Sequence, residues 1–200
     1  GIQTDTDSYE HTGDSDIEAL GFLSSRADME IINRLNGIPL SGPTLSFYNR
    51  ALGHGTVYKD WGFYGIGYID ISQRDSLAIA ADLLLKKSGL KTIAVYSIVS
   101  DTGKHEMFLD VSLRTKSSNL DLNSLIKKIT TTGGGRVYKG AYQVKLDYFR
   151  NAADRDALWE TVEKVTLDWL KKSRDNVYLH ELTGITKNIF RKAVSFLKNK

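Results

Sequence analysis

Residues 92–99, TIAVYSIV, form an uncharged, largely apolar and β-branched run bounded by turn residues. The run is short for a helix and right for a strand covered on both faces. It sits in a sequence that alternates in kind. Before it, residues 73–88 place Leu77, Ala80, Ala81, Leu84 and Leu85 on one helical face, with Gly89 as the stop. Before that, residues 64–71 (YGIGYIDI) are aromatic and β-branched, a strand signature. After it, residues 101–104 (DTGK) make a turn into a second strand over 106–114. Asp121 or Asn123 caps a helix over 122–129, a strand follows over 142–149, and Asp154 or Asp156 opens a long amphipathic helix through Leu158, Val162, Val165, Leu167 and Leu170. The order from 61 to 172 is β-α-β-β-α-β-α, which predicts an α/β fold with a compact mixed sheet.

The flanks read differently. Residues 1–6 (GIQTDT) look like the end of a strand running into a loop, as from a cut within a longer protein. Three short helices follow: one capped by Asp14, Ser15 or Asp16, one by Asp28 and ending at Gly37, and one with Pro43 in its first turn, closing at Gly53. Residues 53–62 are the expected hinge. At the other end, residues 186–197 predict a separate basic amphipathic helix.

Composition excludes several classes. There is no cysteine, so disulfides and thiolate metal sites are out, and a reducing cytoplasm is the expected location. No apolar run approaches the roughly 20 residues of a membrane span, and the N-terminus is neither a signal nor a transit peptide. The net charge is only +3, but residues 5–30 are acidic while cations gather at 114–116, 127–128 and 136–145 and in the last dozen residues. Such asymmetry fits a basic face for an anion and an acidic region for a metal, or simply a solvated surface.

Residues 133–139, GGGRVYK, are the strongest chemical signal. Glycines allow positive φ and close approach to a ligand, and successive backbone N–H groups form an anion-binding concavity. Arg136 and Lys139 follow at once, and Arg114 at the end of its strand can meet the same ligand as an exposed side chain. The alternative is a glycine-rich helix terminator with incidental charges. Asp5 is the best metal-ligand candidate and Asp7 the next, unless both merely form a turn. Histidines are scattered without metal spacing, no Ser-His-Asp set is legible, and GGGRVYK does not fit the ATP-binding P-loop.

Two segments together resemble the DHH phosphoesterase family. Gly1-Ile2-Gln3-Thr4-Asp5-Thr6 is similar to its fourth motif, GI-x-x-DT, whose Asp binds catalytic manganese or magnesium. The stretch from Arg74-Asp75-Ser76 through TIAVYSIV and SLRT to GGGRVYKGAY resembles its C-terminal substrate-binding domain, DHHA1. There the Arg of an SLRS strand and a GGGH loop hold the substrate, which places Arg114, Gly133, Gly134 and Gly135 as substrate-binding residues with Arg136 and Lys139 beside them. The Asp-His-His signature is absent, Arg136 stands where the family has His, and Gly140-Ala141 stands near the family's Ala-Ala-Gly.

The resemblance implies three parts: residues 1–60 as a remnant of the catalytic domain with a helical linker, 61–175 as the DHHA1-like domain, and 176–200 as a helical tail. It implies a metal-dependent phosphoesterase of short oligonucleotides or nucleotide phosphates. Manganese or magnesium would serve the longer protein, with none bound by this fragment alone. The alternative is a non-catalytic nucleotide- or RNA-binding module. A homodimer through the helix carrying Trp159 and Trp169, or through the tail, is a further expectation, against which those side chains read as core. Lys187, Arg191, Lys192 and Lys198 of the tail face either nucleic acid or water.

Overall fold

Helix α5 (Arg74–Lys87) forms as its apolar spacing requires: Leu77, Ala80, Ala81, Leu84 and Leu85 are all buried. Each fully buried Leu contributes about 1.5–3 kcal/mol relative to exposure. The helix links two parallel strands, β2 (Trp61–Asp70) and β3 (Thr92–Asp101), and packs back on them. β3 turns through a hairpin into antiparallel β4 (Glu106–Thr115), in register from Thr92 opposite Thr115 to Asp101 opposite Glu106. Two short strands, β1 (Thr56–Tyr58) and β5 (Gly134–Gly135), and β6 (Lys139–Lys145) complete a six-stranded mixed sheet in the order β1-β2-β3-β4-β6-β5. A computed structural model describes residues 1–6, 9 and 12–198, excepting the side chains of residues 4, 35 and 177–198. The fold class expected from the sequence, a helical segment followed by a mixed-sheet α/β domain, is the one observed.

Two apolar clusters enclose the sheet. One face packs Phe63, Tyr96, Ile98, Leu109, Val111 and Leu113 against Leu122, Leu125 and Ile126 of α6 (Leu122–Ile129) and Leu170 of α7 (Arg155–Lys198). The other packs Tyr64, Ile93, Val95, Val99 and Phe108 against α5 and against Phe47 and Ala51 of α4 (Gly42–His54). Caps set the helix starts. Asp121 Oδ1 accepts from the Asn123 and Ser124 N–H groups at 2.9 and 3.3 Å, and Asp154 accepts from the Ala157 N–H at 2.9 Å.

The chain divides into two compact units, Gly1–Leu40 and Ser41–Lys200. The break falls near residue 40 rather than 60, because Phe47 and Ala51 of α4 are buried with α5. The first unit holds α1 (Ile2–Asp5), α2 (Asp14–Ser24) and α3 (Met29–Asn36), the last capped by Asp28 as its sequence predicts. Its opening is one helical turn, not a strand end. The Asp5 N–H donates to Gly1 O at 3.0 Å and the Thr6 N–H to Ile2 O at 2.9 Å, and the Thr6 hydroxyl closes on the same Ile2 carbonyl.

Other boundaries also move. α4 continues past Gly53 to His54. β6 stops at Lys145, since Asp147 Oδ1 accepts the Met107 N–H at 2.8 Å and a 3₁₀ turn (Asp147–Phe149) replaces the strand. No separate tail helix starts at 186: α7 is continuous from Arg155 to Lys198, with no proline to interrupt it. Trp159 is partly buried and stacks on Tyr96 at 6.1 Å, but Trp169 is 46% exposed and is not core. Among the described residues, no helix is long and apolar enough to cross a membrane.

Candidate functional site

Successive side chains of a strand point to opposite faces, and β4 uses this to place polar groups in a line. Asp110, Ser112 and Arg114 share the face toward α5, with Ala141 and Lys139 of β6 directly opposite Ser112 and Arg114. Arg114 is not the exposed side chain expected of a strand end; it is 8% exposed. Its Nε donates to Asp82 Oδ1 of α5 at 2.6 Å, Nη1 to Leu113 O at 2.9 Å and Nη2 to Ala78 O at 3.4 Å. Lys139, its cross-strand neighbour, brings Nζ to 3.4 Å from the same Asp82 oxygen with 30% of its side chain exposed. Two cations thus share one carboxylate at the outer part of the sheet face.

The glycines adjoin this cluster, and their requirement is close packing rather than backbone handedness. None of Gly133, Gly134 and Gly135 has positive φ. A Cβ on Gly133 would lie 2.5 Å from Tyr142 Cβ and 2.6 Å from Ile126 Cγ2, and one on Gly135 would lie 2.2 Å from Lys139 O. The triplet therefore runs as the edge strand β5, with Gly134 and Gly135 opposite Ala141 and Gly140. The Gly135 N–H donates to Asn123 Oδ1 at 3.3 Å and the Arg136 N–H to Lys139 O at 2.7 Å, so both N–H groups are engaged within the chain. What the turn offers outward is the exposed Arg136 side chain.

A second polar cluster on the same face was not singled out from the sequence. Asp110 is 2% exposed, and its Oδ2 accepts from Arg74 Nε and, at 3.5 Å, from Gln143 Nε2. The signal was present: three polar residues at period two, Asp110, Ser112 and Arg114, in a strand otherwise apolar enough to be buried on both faces. Elsewhere, a cavity of about 500 Å³ beside the β2 bulge is lined by Arg50, His54, Trp159 and Glu163. Burial pushes the Glu163 carboxyl up there, and His54 partly opposes the shift.

Asp5 lies exposed in the one-turn helix α1 of the first unit, whereas Arg114, Gly133–Gly135, Arg136 and Lys139 all belong to the second. Asp7 and the side chains of Lys187, Arg191, Lys192 and Lys198 lie outside the described residues. No group of three or more His, Cys, Asp or Glu side chains among the described residues could hold a metal ion. The donors present do not by themselves fit a catalytic manganese or magnesium, and no reaction step through a metal follows from them.

The fold has a counterpart among solved structures. An exopolyphosphatase-related protein from Bacteroides fragilis superposes with a TM-score of 0.55 over 88% of this chain and 49% of its own, at 17% identity, so the two share a fold. A pGpG-specific phosphodiesterase from Vibrio cholerae overlaps more loosely, with a TM-score of 0.35 over 64% of this chain and 38% of its own at 15% identity. In sequence, an uncharacterized protein of Methanocaldococcus jannaschii is 34% identical over 166 residues, which is 82% of this chain. The chain spans about one third of that protein's length. No protein-family model matches.

Proposed function

We propose that this chain carries the ligand-binding part of a DHH-type phosphoesterase acting on short oligonucleotides or nucleotide phosphates. The observation that carries the reading is the Arg114–Asp82–Lys139 cluster, two cations on one carboxylate of a sheet face, beside a glycine edge and an exposed Arg136. The fold shared with an exopolyphosphatase-related protein supports it, since that protein's name also points to phosphate chemistry.

In this reading Lys139 Nζ and the Arg136 guanidinium contact the anion, and Arg114 strengthens the field from beneath while Asp82 fixes both cations. Charge-assisted bonds of this kind are about twice as strong as neutral ones, and Arg adds a planar fork for phosphate oxygens. Gly133–Gly135 keep side-chain bulk off the edge, so the Arg136 turn stays close to the sheet. Asp5 would be one carboxylate ligand to manganese or magnesium, the remaining ligands lying outside this chain.

The test is titration of the chain with 5′-AMP and a short oligoribonucleotide, with and without manganese. Saturable binding without appreciable hydrolysis is expected, weakened about tenfold in Lys139→Ala and in Arg136→Ala. Unchanged affinity in both variants would return the cluster to a structural role.

A further inference from the structure

The cavity beside the β2 bulge plays no part in the phosphate reading. At about 500 Å³ it falls in the size range of small-molecule sites. Its floor is backbone, because β2 changes register between Gly65 and Tyr68 and the two glycines there carry no side chains. A Cβ on Gly65 would lie 2.4 Å from Glu163 Oε1 and 2.8 Å from Trp159 Cζ2, so the carboxylate and the indole of α7 rest directly on that floor. Trp159 is held there by its stacking on Tyr96. Tyr68 joins the strand to the start of α7: its hydroxyl donates to Arg155 O at 2.8 Å, and the Arg155 guanidinium lies 4.2 Å from its ring centre.

Glu163 is the group in this cavity that the fold does not explain. Among the described residues its carboxylate accepts no hydrogen bond and makes no ion pair, and burial pushes the carboxyl up. A half-buried carboxylate without a partner costs stability, which a bound cation would offset. Asp156 lines the same cavity, so α7 presents a carboxylate, an indole and a second carboxylate on one face over about 10 Å of helix. An indole beside a carboxylate attracts an ammonium group and packs well against methylenes. The protein's own cations at the cavity come from α4: Arg50, whose Nη2 donates to Ile66 O, and His54 at the helix end. They disfavour an ammonium beside α4 and direct it to α7.

We propose that this cavity binds an aliphatic polyamine, with one ammonium on Glu163, a second on Asp156, and the methylenes between them lying on the Trp159 indole. The site is separate from the anion-binding residues of β4 and β6 and does not depend on them.

The experiment is calorimetric titration of the whole chain with spermidine, with magnesium chloride as the control for charge alone. Saturable binding of spermidine is expected, with no displacement by an equal concentration of magnesium. Glu163→Gln weakens it about tenfold, and Asp156→Asn several-fold. Glu160→Gln removes an exposed charge of the same helix outside the cavity and leaves affinity within about twofold. Thermal melts supply a second readout. Free Glu163→Gln melts no lower than wild type, since its carboxylate has no partner to lose, and spermidine raises the melting temperature of wild type but not of this variant. Asp156 is exposed, so its variant keeps the test open should Glu163→Gln fail to fold. Equal losses in Glu160→Gln and in the cavity variants, or displacement of spermidine by magnesium, would reduce the site to diffuse attraction and overturn the proposal. Absence of saturable binding to the wild-type chain would overturn it outright.

Discussion

The two faces of β4 are both buried, yet they carry opposite chemistry. Toward α6 and α7 the strand presents Met107, Leu109, Val111 and Leu113, which need no partners beyond close packing. Toward α5 it presents Asp110, Ser112 and Arg114, whose burial must be offset by Asp82, Arg74 and Gln143. An apolar replacement on that second face could stabilise the fold as well as the ion pairs do. The proposed anion-binding role would give this polar set, at 2% and 8% exposure, a purpose beyond stability. The apolar face holds the sheet together, and in the proposed function the polar face anchors the cations that meet the ligand.

The largest effect should come from breaking the apolar side. Leu113→Ala is expected to cost about 2–5 kcal/mol in urea unfolding while leaving phosphate affinity per folded molecule unchanged. A large loss of affinity in the folded fraction would mean that the two faces are not separable. Next comes Gly133→Ala, where a new methyl would press on Tyr142 and Ile126; about 1–3 kcal/mol is expected by thermal melt, and no loss would show that the edge strand yields easily.

On the polar face, Asp82→Asn removes the carboxylate that shares Arg114 and Lys139. Phosphate affinity should rise several-fold at a cost of about 2 kcal/mol of stability, since the nearly buried Arg114 guanidinium loses its carboxylate. A fall in affinity would show that Asp82 positions the cations more than it competes for them.

The smallest effect is a helix cap. The Ser124 hydroxyl, more than the backbone N–H groups, holds the Asp121 carboxyl below its ordinary value of 3.8. A carboxyl lowered on folding stabilises above the unfolded value, and that contribution is lost as pH falls through the lower folded value. Asp121→Ala should therefore cost about 1 kcal/mol at neutral pH, with the difference from wild type shrinking below pH 4. A pH-independent difference would assign the loss to packing.

Much of this was legible because the signals were local. The alternation and caps of α5, β3, β4 and α6 placed those elements within a few residues, and Leu77 to Leu85 fell on the buried face their spacing required. Arg114 was identified as a residue of interest, but period two says only that it shares a face with Asp110, not that α5 covers that face. Asp82 and Arg74 reach their partners across more than 30 residues of sequence, and no periodicity records such a pairing. The glycine triplet was noticed for its backbone freedom, but its close packing was not legible, since a clash with Tyr142 depends on register across β5 and β6. The one-turn helix at Asp5 is closed by bonds too local for a pattern to show.

The central claim, that the polar face of β4 and β6 is an anion-binding surface, is tested most directly by mapping amide chemical shifts during titration with a 5′-phosphorylated dinucleotide. The account predicts saturable shifts at Ser112, Gly135, Arg136, Lys139, Ala141 and Gln143, with α6 and the facing side of α7 unmoved. Shifts confined to the cavity lined by His54, Trp159 and Glu163, or none at any concentration, would contradict it.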